Sequence, residues 1–213
     1  MISRTKLITG VTVLSLVVLG APGAYAQLSA DSKLTQTISA GTISTNFTDT
    51  EGDPVSSPSF AMSSATVSTG NMSTTGTYGS DTQRATVDKP GISGGFTLAL
   101  AAEDSSIGWY ESNTPSVSAY KHNGATPDER QLTVGTGGTL GEYTGSGTLA
   151  GITGSEGGTF TDDDPIMIML GASGTMDSVW RGYVHGISLT QVIPSGTPEG
   201  SYSIDLVQTV TSV

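Results

Sequence analysis

The sequence predicts an all-β fold, a single antiparallel β-sandwich behind a cleaved signal peptide. Three observations carry that expectation. Short runs of alternating side chains recur, broken at Gly, Pro, Asn or Asp. No apolar stripe of helical period follows Ala26. Ser, Thr and Gly dominate, with 29 Gly and 9 Pro in 213 residues, so turn formers are plentiful and helix formers are scattered.

The first element is Met1–Ala26. Arg4 and Lys6 precede the apolar run LITGVTVLSLVVLGA, and Ala24-Tyr25-Ala26 supplies small residues at an A-x-A site. That order predicts a secretory signal peptide cut after Ala26. The run is shorter than the ~20 residues a bilayer span needs, and no later stretch is long and apolar. A secreted, surface or wall location is therefore expected, with no membrane contact after cleavage. Residues 27–213 then form one domain, long enough for a real core.

Charge and cysteine content narrow the functions. The chain carries a net −11; removing Arg4 and Lys6 leaves six basic and 19 acidic side chains, a net of −13. Such a field repels nucleic acid and anionic membrane, and favours solubility, divalent cations or a basic partner. With no cysteine, disulfides, a thiol nucleophile and thiolate metal sites are excluded.

The strands follow in order. TQRATVD alternates into Val87. GFTLALA sets Phe96, Leu98 and Leu100 on one face. RQLTVGT points Leu132 and Val134 away from Gln131 and Thr133. PIMIML (165–170) is apolar throughout, as a strand covered on both faces is. WRGYVHGISLTQVI runs long, with Gly182 and Gly186 expected as bulges or bends. GSYSIDLVQTVTSV alternates Tyr202, Ile204 and Leu206 inward against Ser203, Asp205 and Val207. Between these, Lys89-Pro90-Gly91 and PSGTPEG (194–200) are turns. The Gly/Thr-rich stretch 135–159 reads as a surface loop or a weak edge hairpin.

Several motifs name a chemistry. Gly91-Ile92-Ser93-Gly94-Gly95 matches G-x-S-x-G, but a nucleophile elbow needs a helix after the serine, and a strand pattern follows here. His122 and His185 are the two histidines, and only His185 offers a formal partner. GSGTLA (145–150) lacks the βαβ setting of a dinucleotide fingerprint. No enzyme is expected, and no cofactor other than Ca²⁺. Asp49, Glu51 and Asp53 in DTEGDP, and Asp162, Asp163 and Asp164 in TDDDP, are the calcium candidates, since hard loop oxygens suit that ion; solvated turns account for them equally. Trp109 and Tyr110 are adjacent, so in a strand only one points inward, and the other is exposed as a contact surface or packs under a loop.

ATVDKPGISGGFTLALAAED resembles a segment of the WxL-domain cell-surface proteins of Gram-positive bacteria. Val87, Asp88, Gly91, Gly95, Phe96 and Leu98 fall in step with it. PSFAMSSATVSTG resembles that family's opening strand, and ISLTQVIPSGTPEGSYSIDLVQTV its closing hairpin. Phe96 stands where the family has the Trp of its first W-x-L, and Val207-Gln208-Thr209 stands where the second is expected. The resemblance implies a β-sandwich without catalytic role that attaches non-covalently to peptidoglycan. Phe96 thus joins Trp109 and Tyr110 as the expected binding surface.

The expected function is a secreted non-enzymatic surface protein, a WxL-like module that associates with cell-wall polymer or another surface protein. The alternative is a structural subunit of a fibre or coat, self-associating by strand exchange. Its support is the polar, alternating segment QLSADSKLTQTISAGTIS that begins at Gln27.

Overall fold

The computed structural model describes residues 35–112, 114, 117–126, 130–161 and 164–213; the expected signal peptide lies outside them. The chain divides into two compact units, Met1–Thr37 and Ile38–Val213. Among the described residues there are fourteen strands and no helix. They are β1 (Ser44–Thr48), β2 (Met72–Tyr78), β3 (Arg84–Pro90), β4 (Phe96–Ala102), β5 (Trp109–Glu111), β6 (Ser118–Tyr120) and β7 (Leu132–Gly137). β8 (Thr139–Glu142), β9 (Ile152–Thr159), β10 (Ile166–Gly171), β11 (Val179–His185), β12 (Ile187–Ile193), β13 (Tyr202–Ser203) and β14 (Leu206–Ser212) follow.

The strands form three antiparallel sheets. A small one runs β1-β3-β11-β8, a large one β14-β4-β10-β9-β7-β12-β2, and a third β13-β5-β6. The fold is an all-β sandwich. Alternation places its core: Ala85 and Val87 from β3, and Trp180 and Val184 from β11, bury with Phe96, Leu98 and Leu100 of β4. Leu132, Val134, Ile168 and Ile187 of the large sheet complete this apolar interior. The large sheet curls strongly. Tyr78, on its edge strand β2, donates its hydroxyl to Gln208 of the opposite edge strand β14, at 3.1 Å. Gln208 in turn donates to Thr45 of β1, at 2.9 Å.

Three expectations need correction. The run 180–193 is two strands that lie in different sheets, joined at Gly186. The residue there has φ +69°, a left-handed conformation that glycine adopts without steric cost. Gly182 makes no bulge: β11 stays in register with β3 through it, and its missing Cβ leaves room for the Trp180 ring. The stretch 135–159 is an edge feature only in part: β8 is the edge of the small sheet, but β9 sits fourth of seven in the large sheet, between β10 and β7. Its glycines permit a close approach that side chains would block; a Cβ at Gly154 would stand 2.6 Å from the Gly137 carbonyl oxygen.

The bend at 90–95 leads into a strand. Gly91 N–H donates to the Ser178 carbonyl at 3.1 Å, and Gly95 exchanges backbone hydrogen bonds with Val213. Lys89 is 1% exposed, and its ammonium donates to the carbonyls of Ile92, Asp177 and Ser178. Burial pulls its pKa below the ordinary lysine value, with Asp177 opposing.

Candidate functional site: an aromatic cleft with an acidic rim

The edges of the curled sheet do not pair. A cavity of about 940 Å³ opens there, near the upper end of ordinary ligand sites (~300–1,000 Å³). Buried Tyr78, Leu132 and Leu189 line its inner part. The segment 58–67 forms one wall. It is held to β2 by a bridge from Met62 to Gly76 and by Ser63 N–H donating to the Thr75 carbonyl at 2.6 Å. Phe60 leans on both Phe47 and Tyr78, with ring centroids 5.3 Å away in each case.

The third sheet builds the opposite wall. Trp109, 8% exposed, donates its indole N–H to Gln191 Oε1 at 2.8 Å, which ties β5 to β12. Its ring stacks on Tyr120 at 5.8 Å, and Tyr120 meets Tyr202 edge-on at 5.4 Å. Alternation turns Tyr110 the other way, half-buried, where its hydroxyl donates to Asp205 Oδ2 at 2.7 Å. Tyr202 donates to the Pro198 carbonyl at 2.9 Å. The Tyr110 pKa is raised, first by the hydrogen bond to Asp205; that of Tyr202 is raised by desolvation, then by Glu111.

Among the described residues the lining holds three exposed carboxylates, Glu103, Glu199 and Asp205, and no lysine, arginine or histidine. Glu103 N–H donates to the Asp205 carbonyl at 2.9 Å, so these two residues stand side by side. Such a cleft can hold apolar groups and ring faces and attract positive charge.

The other candidates fall elsewhere. Phe96 offers no contact surface: it is fully buried, and stacks on Trp180 at 5.4 Å because it occupies the inward register of β4. Asp49 Oδ1 accepts from its own loop, from Glu51 N–H at 3.0 Å and Asp53 N–H at 2.9 Å. The Arg181 guanidinium donates to the Gly52 carbonyl of that loop at 2.5 Å and sets a positive charge there. Asp164 is exposed, while Asp162 and Asp163 lie outside the described residues. Among the described residues no three His, Cys, Asp or Glu side chains converge as metal ligands. Ser93 is exposed, just past Pro90, which pairs with Val179 at the start of β11. His185 ends that strand, six residues or roughly 20 Å away at about 3.3 Å per residue. It bonds Asp81 at 3.3 Å.

Sequence reasoning found Trp109 and Tyr110 but not Tyr120 or Asp205 as their neighbours, nor Phe60 in the facing wall. The available signal was alternation in 202–206, which gave Tyr202 and Asp205 opposite faces. Nothing local indicated that β13 pairs with β5.

The chain has no significant match to any protein-family model, curated protein or solved structure.

Proposed function

We propose that this chain is a secreted, non-enzymatic surface protein, a WxL-like module that associates non-covalently with cell-wall polymer or a surface partner. The observation that carries this reading is the cleft: aromatic faces and carboxylates stand around a large open cavity. The roughly 20 Å of strand between the Ser93 turn and His185 speaks against nucleophilic catalysis by that pair. Incubation of the purified chain with purified Gram-positive cell walls tests it. Retention in the wall pellet at low salt, reduced by Tyr202→Ala, is the expected result. A chain left in the supernatant removes wall binding, and ester hydrolysis abolished by Ser93→Ala would revive an enzyme.

One observation favours the structural-subunit alternative. Residues 35–42, ahead of β1, form no strand and are exposed, and Ile38 is 85% exposed. A segment of this kind is available for addition to a neighbour's sheet edge. Concentration-dependent oligomers that vanish with Ile38→Asp would support this second reading.

A further inference from the structure

Resting on the reading of the cleft as the contact site, we infer that its ligand is a basic, extended peptide segment of a partner protein. The cleft separates two chemistries. Its inner part is apolar, with Tyr78, Leu132 and Leu189, and its walls present the half-buried rings of Phe60, Tyr110 and Tyr202. Its rim carries Glu103, Glu199 and Asp205, with no cation among the described residues of the lining. An occupant that satisfies both must offer apolar groups inward and positive charge outward. A peptide that alternates apolar and lysine or arginine side chains does this, because successive residues of an extended chain face opposite ways.

Charge decides against the alternatives. An anionic wall polymer meets three carboxylates and a chain of net −11. A neutral glycan can stack on Tyr110 and Tyr202 and donate hydroxyls to the carboxylates, but it brings no charge to offset theirs. A lysine or arginine gains twice: from the ring faces, and from the adjacent pair Glu103 and Asp205. The Tyr110 hydroxyl occupies only Oδ2 of Asp205, and the second oxygen can accept from a ligand.

Fluorescence anisotropy tests this with three labelled probes. The first peptide alternates leucine and lysine, the second carries glutamate in place of lysine, and the third probe is an N-acetylglucosamine oligomer. The lysine peptide should bind the full chain, and salt should weaken it. Asp205→Asn with Glu103→Gln should weaken it roughly fivefold, the middle of the range for two exposed ion pairs. Glu142→Gln with Glu156→Gln, an equal charge change on β8 and β9 outside the cleft, should leave it within about twofold. Tyr202→Ala should cost about tenfold, and Tyr202→Phe, which keeps the ring, should cost far less. Equal binding of the glutamate peptide overturns the inference, and so does an equal effect of the Glu142→Gln, Glu156→Gln pair. Binding of the oligomer alone, lost in Tyr202→Ala, assigns the cleft to glycans instead. Wall retention without peptide binding removes this ligand class and leaves the surface reading standing; peptide binding without wall retention does the reverse for wall polymer.

Discussion

Gly182→Ala is the sharpest test of the packing described above. A Cβ built at Gly182 stands 2.4 Å from Cζ2 of Trp180, 2.5 Å from the Gly141 carbonyl oxygen and 2.7 Å from Cη2 of Trp180. Carbon atoms in comfortable contact are about 3.5–4.0 Å apart, so the overlap exceeds an ångström. Neither neighbour can yield easily. Trp180 is 1% exposed and stacked on Phe96 at 5.4 Å. Gly141 is backbone of β8, paired with Tyr183 of β11. Overpacking of this kind costs about 1–3 kcal/mol. Against it stands a gain of about 0.4–1 kcal/mol, because alanine restricts the unfolded chain more than glycine does. The variant should therefore lose roughly 1–2 kcal/mol, a fall in Tm of about 2–8 °C for a domain of this size. Urea melts followed by tryptophan fluorescence and by circular dichroism would measure it, with an unchanged slope. In a Trp180→Phe background the ring overlap disappears but the carbonyl overlap remains, so the alanine cost should shrink by at least about 0.5 kcal/mol without vanishing. An alanine variant as stable as the parent, or more so, would refute the placement of Trp180 over Gly182.

Three further outcomes are expected. Lys89→Met strips the donor from three carbonyls at the 90–95 bend and should cost about 1–3 kcal/mol in the same melts; a neutral result would remove Lys89 from the bend's support. Tyr78 and Tyr120 are held above the free phenol value of 10.0 by burial, as Tyr202 is, and Tyr110 mainly by its hydrogen bond to Asp205. The folded chain thus keeps protons that the unfolded chain releases, so stability is full below pH 10 and lost as pH climbs above it; ultraviolet titration of the phenols with parallel alkaline melts checks this. His185 sits below its ordinary value of 6.5 because burial outweighs the pull of Asp81, and Arg84 adds to the lowering. Below that pH the unfolded chain takes the proton more readily, so this residue's share of stability falls as the solution turns acid. Asp81→Asn should move the His185 titration lower still by NMR, and an upward move would contradict the assigned causes.

Period-two alternation is why much of the sheet architecture was readable. It put Phe96, Leu98 and Leu100 on one face, and all three are fully buried. The apolar run 165–170 announced a covered strand, and β10 lies third in a seven-stranded sheet. What alternation cannot encode is partner choice. The glycine-rich stretch 135–159 has few side chains to alternate, so its central strand β9 read as a loop; its pairing rests on close backbone approach, which is a property of the neighbours. Gly186 marked a bend in the run, but alternation on either side does not say that the two strands join different sheets. The cleft was half legible. Adjacent Trp109 and Tyr110 signalled one outward ring, yet its surroundings come from residues 58–67 and 198–206, far away in sequence.

Net charge alone does not say where an acidic chain presents its acidity; the placement of its few cations does. Among the described residues Arg84 lies over the Tyr183 ring at 4.1 Å, and Arg181 lies over Tyr143 at 4.8 Å while bonding Gly52 and approaching Asp88 at 3.9 Å. Lys89 is enclosed by backbone carbonyls. All three belong to β3 or β11 of the small sheet, so their charge is spent on that layer. Lys121 and Arg130 are exposed but do not line the cleft. Glu103, Glu199 and Asp205 are left without a basic side chain in the cleft wall. Carboxylates close together around apolar rings repel one another, and a cation placed among them relieves that repulsion as it gains the ring faces. The segregation of charge between the layers thus makes the cleft, rather than the acidic loop at 49–53 with Arg181 against it, the place where a positive partner gains most.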